Sequence, residues 1–251
     1  MKLIIKPEKE TYSEFELIGY KLKVLHHFAR FEGNDYVMIL KTCFDKYGWH
    51  NVINYQLNPN FDDIEEGTLL TSAVMKGCEE TISLLIRKGA ILDLPNLVGM
   101  RTPLHDSVRM GSERITEILL RKGANPNVFD ITNCSPIHFA SRRGEPEMIK
   151  MLVNYGANIY AKMNQQSIRS DSPFFNGQKK SALEITLMEY DVEFHNPKKY
   201  FDCMKTIIYL GHKVEEEPVP IPVHPKKNQE FAPYLNNTCK LKYSQKYLYR
   251  N

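Results

Sequence analysis

Thr102-Pro103-Leu104-His105, Gly111, Ile118-Leu119-Leu120 and Gly123-Ala124-Asn125 are followed by Ser135-Pro136-Ile137-His138, Gly144, Met151-Leu152-Val153 and Gly156-Ala157-Asn158. One unit is thus written twice between Arg101 and Ala161, at a fixed interval of 33 residues (135 − 102, 144 − 111, 156 − 123). Each landmark has a physical task. Thr102-Pro103 and Ser135-Pro136 open a helix, because a hydroxyl caps free N–H groups and proline suits the first helical position. Gly111 and Gly144 close it, glycine being the cheapest residue in the left-handed turn after a helix. Ile115, Ile118 and Leu119, then Met148, Met151 and Leu152, are spaced three and four apart and make the apolar stripe of a second helix. A helix pair of this size cannot bury its own stripe, so neighbouring units must stack.

The period and the T-P-L-H and G-A wording resemble the ankyrin repeat. The resemblance implies an all-α ankyrin-repeat solenoid of helix-turn-helix units with β-hairpin fingers. It extends over residues 22–213, most specifically in repeats two to four. About five repeats are expected, at approximately 22–60, 66–98, 99–131, 132–164 and 180–213. A capping segment over 1–21 precedes them, and a Pro-rich and Lys/Tyr-rich tail over 214–251 follows. The resemblance also implies that His105 and His138 tie neighbouring hairpins by hydrogen bonds, and are not catalytic.

The outer repeats depart from the pattern. Val24-Leu25-His26-His27-Phe28-Ala29 aligns with Ser135-Pro136-Ile137-His138-Phe139-Ala140, which sets His27 in the place of His138. A second helix is expected over 35–47 with Val37, Leu40 and Phe44 on one face, then a long connection containing Trp49. Ser13-Glu14-Phe15-Glu16 fits a capping box, so Phe15, Leu17 and Ile18 are expected to cover the end of the stack. In repeat two, Thr68-Leu69-Leu70-Thr71 replaces T-P-L-H. Met100 is the extra residue before Thr102 and is expected to distort its finger. Repeat five opens at Lys180-Ser181-Ala182-Leu183-Glu184 and carries two insertions, 164–179 and 190–202. In the tail, Pro218-Val219-Pro220-Ile221-Pro222 favours an extended strap over the last repeat, and Pro222-Val223-His224-Pro225 offers the alternative of a short ligand for an SH3 or WW domain.

Composition excludes more than it identifies. A net charge of +3 is too small to imply nucleic-acid binding. Five scattered cysteines without a C-x-x-C pair argue for a reducing compartment and against a zinc site. No signal-peptide core or membrane span is read, so the expected location is cytoplasmic, with the nucleus open. No glycine-rich phosphate loop or H-E-x-x-H occurs. Asp62-Asp63 and Glu65-Glu66 read as a solvated finger, and Cys134, with no base beside it, reads as a spectator thiol. No catalytic residue, metal or cofactor is expected.

A binding surface remains. In proteins similar to this one, partners meet the fingers and first helices on the concave side. The matching positions are Met75 and Lys76, then Arg101, Arg109 and Met110, then Arg142 and Arg143. Phe31 and Glu32 begin this row in repeat one, Cys134 belongs to it in repeat four, Lys179 and Lys180 continue it in repeat five, and Phe174-Phe175 in the long finger is a second candidate. The expected function is a non-enzymatic adaptor or scaffold whose concave face holds a protein partner with an acidic surface. The alternatives are a substrate receptor of a cullin-type ubiquitin ligase with a diverged C-terminal box, and an NF-κB-inhibitor-like protein that masks a transcription factor. Neither nucleic acid nor membrane is an expected partner, and the oligomeric state is open.

Overall fold

The computed structural model describes residues 14–31, 33–56, 67–97, 99–163, 180–192 and 197–210. Within them ten α-helices follow one another as five pairs: α1 (Glu14–Ala29) with α2 (Asn34–Asp45), α3 (Leu69–Lys76) with α4 (Glu79–Arg87), α5 (Pro103–Met110) with α6 (Glu113–Arg121), α7 (Pro136–Arg143) with α8 (Pro146–Asn154), and α9 (Ala182–Val192) with α10 (Pro197–Tyr209). This is the stacked all-helical array that the repeat implied.

The two regular copies form helices for the reasons their spelling suggests. At α5 the backbone N–H of Thr102 donates to His105 Nδ1 at 3.1 Å, closing a reciprocal capping box. At α7 Ser135 N–H and His138 Nδ1 repeat it at 3.0 Å. Because Nδ1 accepts, Nε2 carries the proton and donates onward. His105 Nε2 reaches the carbonyl of Cys134 at 3.1 Å, and His138 Nε2 reaches that of Ala161 at 2.9 Å. Each histidine therefore starts one helix and ties down the next finger. Repeat two keeps only the local half, with Thr71 N–H donating to Thr68 Oγ1. Repeat five substitutes a Ser–Glu box, in which Ser181 N–H donates to Glu184 Oε2 at 2.7 Å.

A second ladder of side chains was hidden in the connections. Asn127 donates to the Gly156 carbonyl and accepts from Asn158 N–H, while Asn54 donates to the Gly89 carbonyl and accepts from Ile91 N–H. Each asparagine thus caps the end of the following repeat's second helix and holds the residue that leaves it.

One core runs through the stack, from Leu22 and Leu25 through Leu69, Leu104 and Ile137 to Cys203 and Ile207. Between repeats three and four, first helices α5 and α7 touch over more of their length than second helices α6 and α8 do. Between repeats four and five both pairs, α7 with α9 and α8 with α10, are in close contact, so the first helices line one side of the stack, called the inner face below, and the second helices line the other.

The end repeats differ from their sequence reading in four ways. The helix expected within 1–21 and the first helix of repeat one are a single helix, α1, of 16 residues; the side chain of Phe15 lies outside the described residues. Within α1 the buried histidine is His26, which contacts Ser72 Oγ at 2.9 Å, while His27 is exposed against the rings of Phe28 and Phe31. His27 therefore does not play the part of His138. The connection after α2 is partly ordered as a 3-10 turn, Trp49–Val52, that buries Trp49 and Val52. Finally, much of the insertion expected over 190–202 lengthens helices. α9 and α10 have 11 and 13 residues against 8 and 9 in α5 and α6.

Two further features set the inner face. β1 (Lys162–Met163) pairs antiparallel with β2 (Lys180–Ser181), so residues 164–179, outside the described set, leave and rejoin the array at one place. Gly144, at φ 65°, ends α7 directly beneath Tyr200 of α10. A Cβ there would come within 2.9 Å of the ring. The Tyr200 hydroxyl donates to the carbonyl of Arg142 at 3.0 Å, docking α10 onto the end of α7.

Candidate functional site

The last turns of α3, α5 and α7 point their charged and methionine side chains away from the core, since the first turns are consumed by caps and buried contacts. Met75 is half-buried and Lys76 exposed at the end of α3. Arg109 is half-buried and Met110 exposed at the end of α5. Arg142 is half-buried and Arg143 exposed at the end of α7. Arg101 sits at the finger base just before α5. These residues come together as one row across three successive repeats. Of the residues expected to extend it, Phe31 is exposed, but Cys134 and Lys180 are buried and do not belong to it. Glu32, Phe174, Phe175 and Lys179 lie outside the described residues.

The row is less basic than its spelling. Asp106, fully buried on α5, accepts from Nε of both Arg101 and Arg109, each at 3.2 Å. Arg143 Nε donates to Glu145 Oε1 at 2.6 Å, and a second nitrogen of Arg143 donates to the Arg109 carbonyl at 3.1 Å. Arg143 thereby satisfies a carbonyl in the last turn of the preceding repeat's helix, packed over Gly111. Arg142 forms an ion pair with Glu189 of α9 at 3.7 Å. Charge-assisted contacts of this kind hold long side chains in place and leave a patterned surface, not a uniform positive field.

Sequence reasoning missed Asp106, Glu145 and Glu189. A signal for the first was present: Asp106 stands 33 residues before Phe139 (139 − 106), so the two copies differ there in polarity. Phe139 packs edge-on against His105 with ring centres 5.9 Å apart, while Asp106 turns its charge to the arginines. Nothing in the spacing foretold Glu189, which reaches Arg142 from the next repeat.

The fingers add an apolar margin. Leu97, Met100, Phe129 and Ile131 are exposed, and Ile131 N–H donates to the Gly99 carbonyl, which joins the two finger tips. Met100 takes φ 54°, the strained backbone that its extra residue suggested. Elsewhere, a groove of about 340 Å³ between α2 and α4 is lined by Gly33, Val37, Cys78, Glu79 and Thr81, none of them in the row.

The titratable core groups serve structure. Burial holds His26 and His138 down at about 4 and lowers His105 from its usual value. Burial raises the thiols of Cys43 to about 11 and Cys203 to about 12, and raises that of Cys134 as well, so none is a poised thiolate. Among the described residues no cluster of three or more His, Cys, Asp or Glu could hold a metal. Among the same residues no helix is long and apolar enough to cross a membrane.

Stacked helix pairs, histidine-tied fingers and a patterned inner face define a repeat protein built to display a surface. The family model of ankyrin repeats matches residues 25–130 and 101–163, more than half of the chain, and the chain belongs to the ankyrin repeat family. It is similar to the B-cell lymphoma 3 protein homolog of Mus musculus, with 31% identity over 118 residues, covering 47% of this chain and 25% of that protein. It is similar also to cyclin-dependent kinase inhibitor 2A of Homo sapiens, with 36% identity over 91 residues, covering 36% of this chain and 57% of that protein. Ankyrin repeat and SOCS box protein 14 of Homo sapiens shares 33% identity over 109 residues, covering 42% of this chain and 17% of that protein. The chain spans less than two thirds of the length of each of these relatives.

Proposed function

We propose that this chain is a non-enzymatic scaffold that holds another protein against the inner face of its repeats. The observation that carries the reading is the row itself. Met75, Arg109, Met110, Arg142 and Arg143 project from the same turn of three successive helices, on a backbone fixed by caps and a continuous core. Ankyrin repeats bind protein partners, and methionine and arginine suit such a surface, one by adapting its shape and the other by pairing with carboxylates. Rigidity matters because a preformed surface loses little conformational freedom on binding. We place this activity in a reducing compartment, in keeping with the four buried free thiols at Cys43, Cys78, Cys134 and Cys203. The ligase-receptor reading depends on the tail from residue 214, and no feature of the described residues favours it or the transcription-factor reading.

The test is capture of binding proteins by the full chain, with two sets of substitutions that leave the core alone. Met75→Glu with Met110→Glu alters the row; Arg121→Glu with Lys122→Glu alters the exposed end of α6 on the opposite side. Capture lost with the first pair and kept with the second supports the inner face. The opposite pattern places the interface on the second helices and defeats the proposal.

A further inference from the structure

Charge is not spread evenly along the row. Arg143 is matched by Glu145 and Arg142 by Glu189, whereas Arg101 and Arg109 share the one carboxylate of Asp106. Both Nε donors meet the same oxygen, Oδ1, at 3.2 Å. Two guanidinium cations against one buried carboxylate leave one positive charge uncompensated. Asp106 Oδ2 is buried with no hydrogen-bond partner among the described residues, so the carboxylate holds both arginines through Oδ1 alone.

The two side chains are held but not covered. Arg101 and Arg109 remain 32% and 39% exposed, although each Nε is engaged at a fully buried group. Among the described residues their Nη nitrogens have no partner. Each guanidinium carries five N–H donors, so both forks keep donors for an external acceptor. The supports are firm on either side. The Arg101 guanidinium lies over Gly99, and the backbone N–H of Arg101 donates to Asn96 Oδ1; the carbonyl of Arg109 is engaged by Arg143. Met100 and Met110, each beside one arginine in the chain, are 45% and 49% exposed.

We propose that Arg101 and Arg109, bridged by Asp106, form a clamp for one side-chain carboxylate of a partner peptide that also offers an apolar residue to Met100 and Met110. The proposal rests on the reading that the inner face binds protein. A single carboxylate matches the one uncompensated charge, whereas a phosphoryl group brings about −1.5 to −2. Fixing the two forks in advance lowers the ordering cost of binding, and paired guanidinium–carboxylate contacts are among the stronger polar ones.

The experiment pans a phage-displayed random peptide library against the full chain and measures the enriched peptides by fluorescence anisotropy. Enrichment of Asp or Glu within a residue or two of Leu, Met or Phe is expected. Affinity should fall about tenfold or more with Arg101→Gln or Arg109→Gln, and less with Arg109→Lys, which keeps the charge but not the fork. Each single substitution leaves Asp106 one arginine, so folding is retained, and circular dichroism checks it. Asp106→Asn raises the local charge by one and should shift preference toward a phosphoserine version of the same peptide. Enriched peptides without a carboxylate would overturn the clamp. So would unchanged affinity in both glutamine variants, or tighter binding of the phosphoserine peptide by wild type. If such peptides still lose affinity with Met75→Glu, which lies outside the clamp, the inner-face reading stands alone. If no substitution in the row alters binding, both fail.

Discussion

His138 and His26 are both buried and both held at about 4, yet they carry different loads. His138 uses both ring nitrogens, one for the helix start and one for the next finger. His26 uses Nδ1 only, and its Nε2 has no partner among the described residues. Replacing His138 by leucine strands buried backbone groups at Ser135 and Ala161, and should cost about 2–3 kcal/mol in urea unfolding. Replacing His26 by leucine removes an unsatisfied nitrogen along with one bond, and should cost less than about 1 kcal/mol. Acid acts on both in the same direction. Their folded values lie below the ordinary 6.5, so the unfolded chain takes up the proton first. The stability of the neutral form is complete above pH 6.5 and is lost as pH falls toward 4, by an amount on the order of 2 kcal/mol per histidine. Melting temperatures measured from pH 7 to 4.5 should fall steadily in wild type and less steeply in His26→Leu; an unchanged slope in that variant would remove His26 from the account. The role of His138 was legible because its motif occurs twice in register. That of His26 was not, since two adjacent histidines leave the alignment uncertain by one position and only burial decides between them.

At the scale of elements, the decisive joint is between α7 and α10. Gly144 and Gly123 both end helices with positive φ, 65° and 95°. An alanine at Gly123 would meet nothing within 4 Å and should cost only the backbone strain, about 1 kcal/mol. An alanine at Gly144 adds a clash with the Tyr200 ring and should cost about 1–3 kcal/mol more. Pairing Gly144→Ala with Tyr200→Ala should recover part of that excess; strictly additive losses in urea unfolding would mean that the ring is not what Gly144 accommodates. The helix starts, stops and stripes of α5 to α8 were readable because each signal is local and repeated. The lengths of α9 and α10 were not, because helical and looped insertions differ through contacts made far along the chain, such as Tyr200 with Arg142. The same reason hid the partners of the arginines. A row of like charges is visible in sequence, but Glu189 lies 47 residues from Arg142 (189 − 142) and only folding brings it there.

At the scale of the whole molecule, stability is a sum of unit and interface terms, and these are unequal. Repeats three and four each have a full capping box, a histidine tie to the following finger and glycine stops. Among the described residues, repeat two has a cap without the tie, and repeat one has a buried histidine with one unpaired nitrogen and no proline-led start. Interior units also contact neighbours on both sides, so opening one of them breaks two interfaces, while an end unit peels away by breaking one. In the His26→Leu protein, whose repeat one keeps no buried histidine, amide exchange under native conditions should therefore be slowest in α5 to α8 and faster in α1 and α2, with the difference narrowing as pH falls and the histidine ties weaken. The pH response separates this account from a general effect of position in the stack, because fraying at an end depends on the number of interfaces at any pH. Equal protection in α1 and α7 at pH 7 would show that the caps and ties do not set local stability. A gap that stays constant down to pH 4.5 would leave interface number as its sole cause. The gradient bears on function as well. The arginine and methionine row lies mainly on α5 and α7, the units with the most bonds holding them, where a surface keeps its shape before a partner arrives.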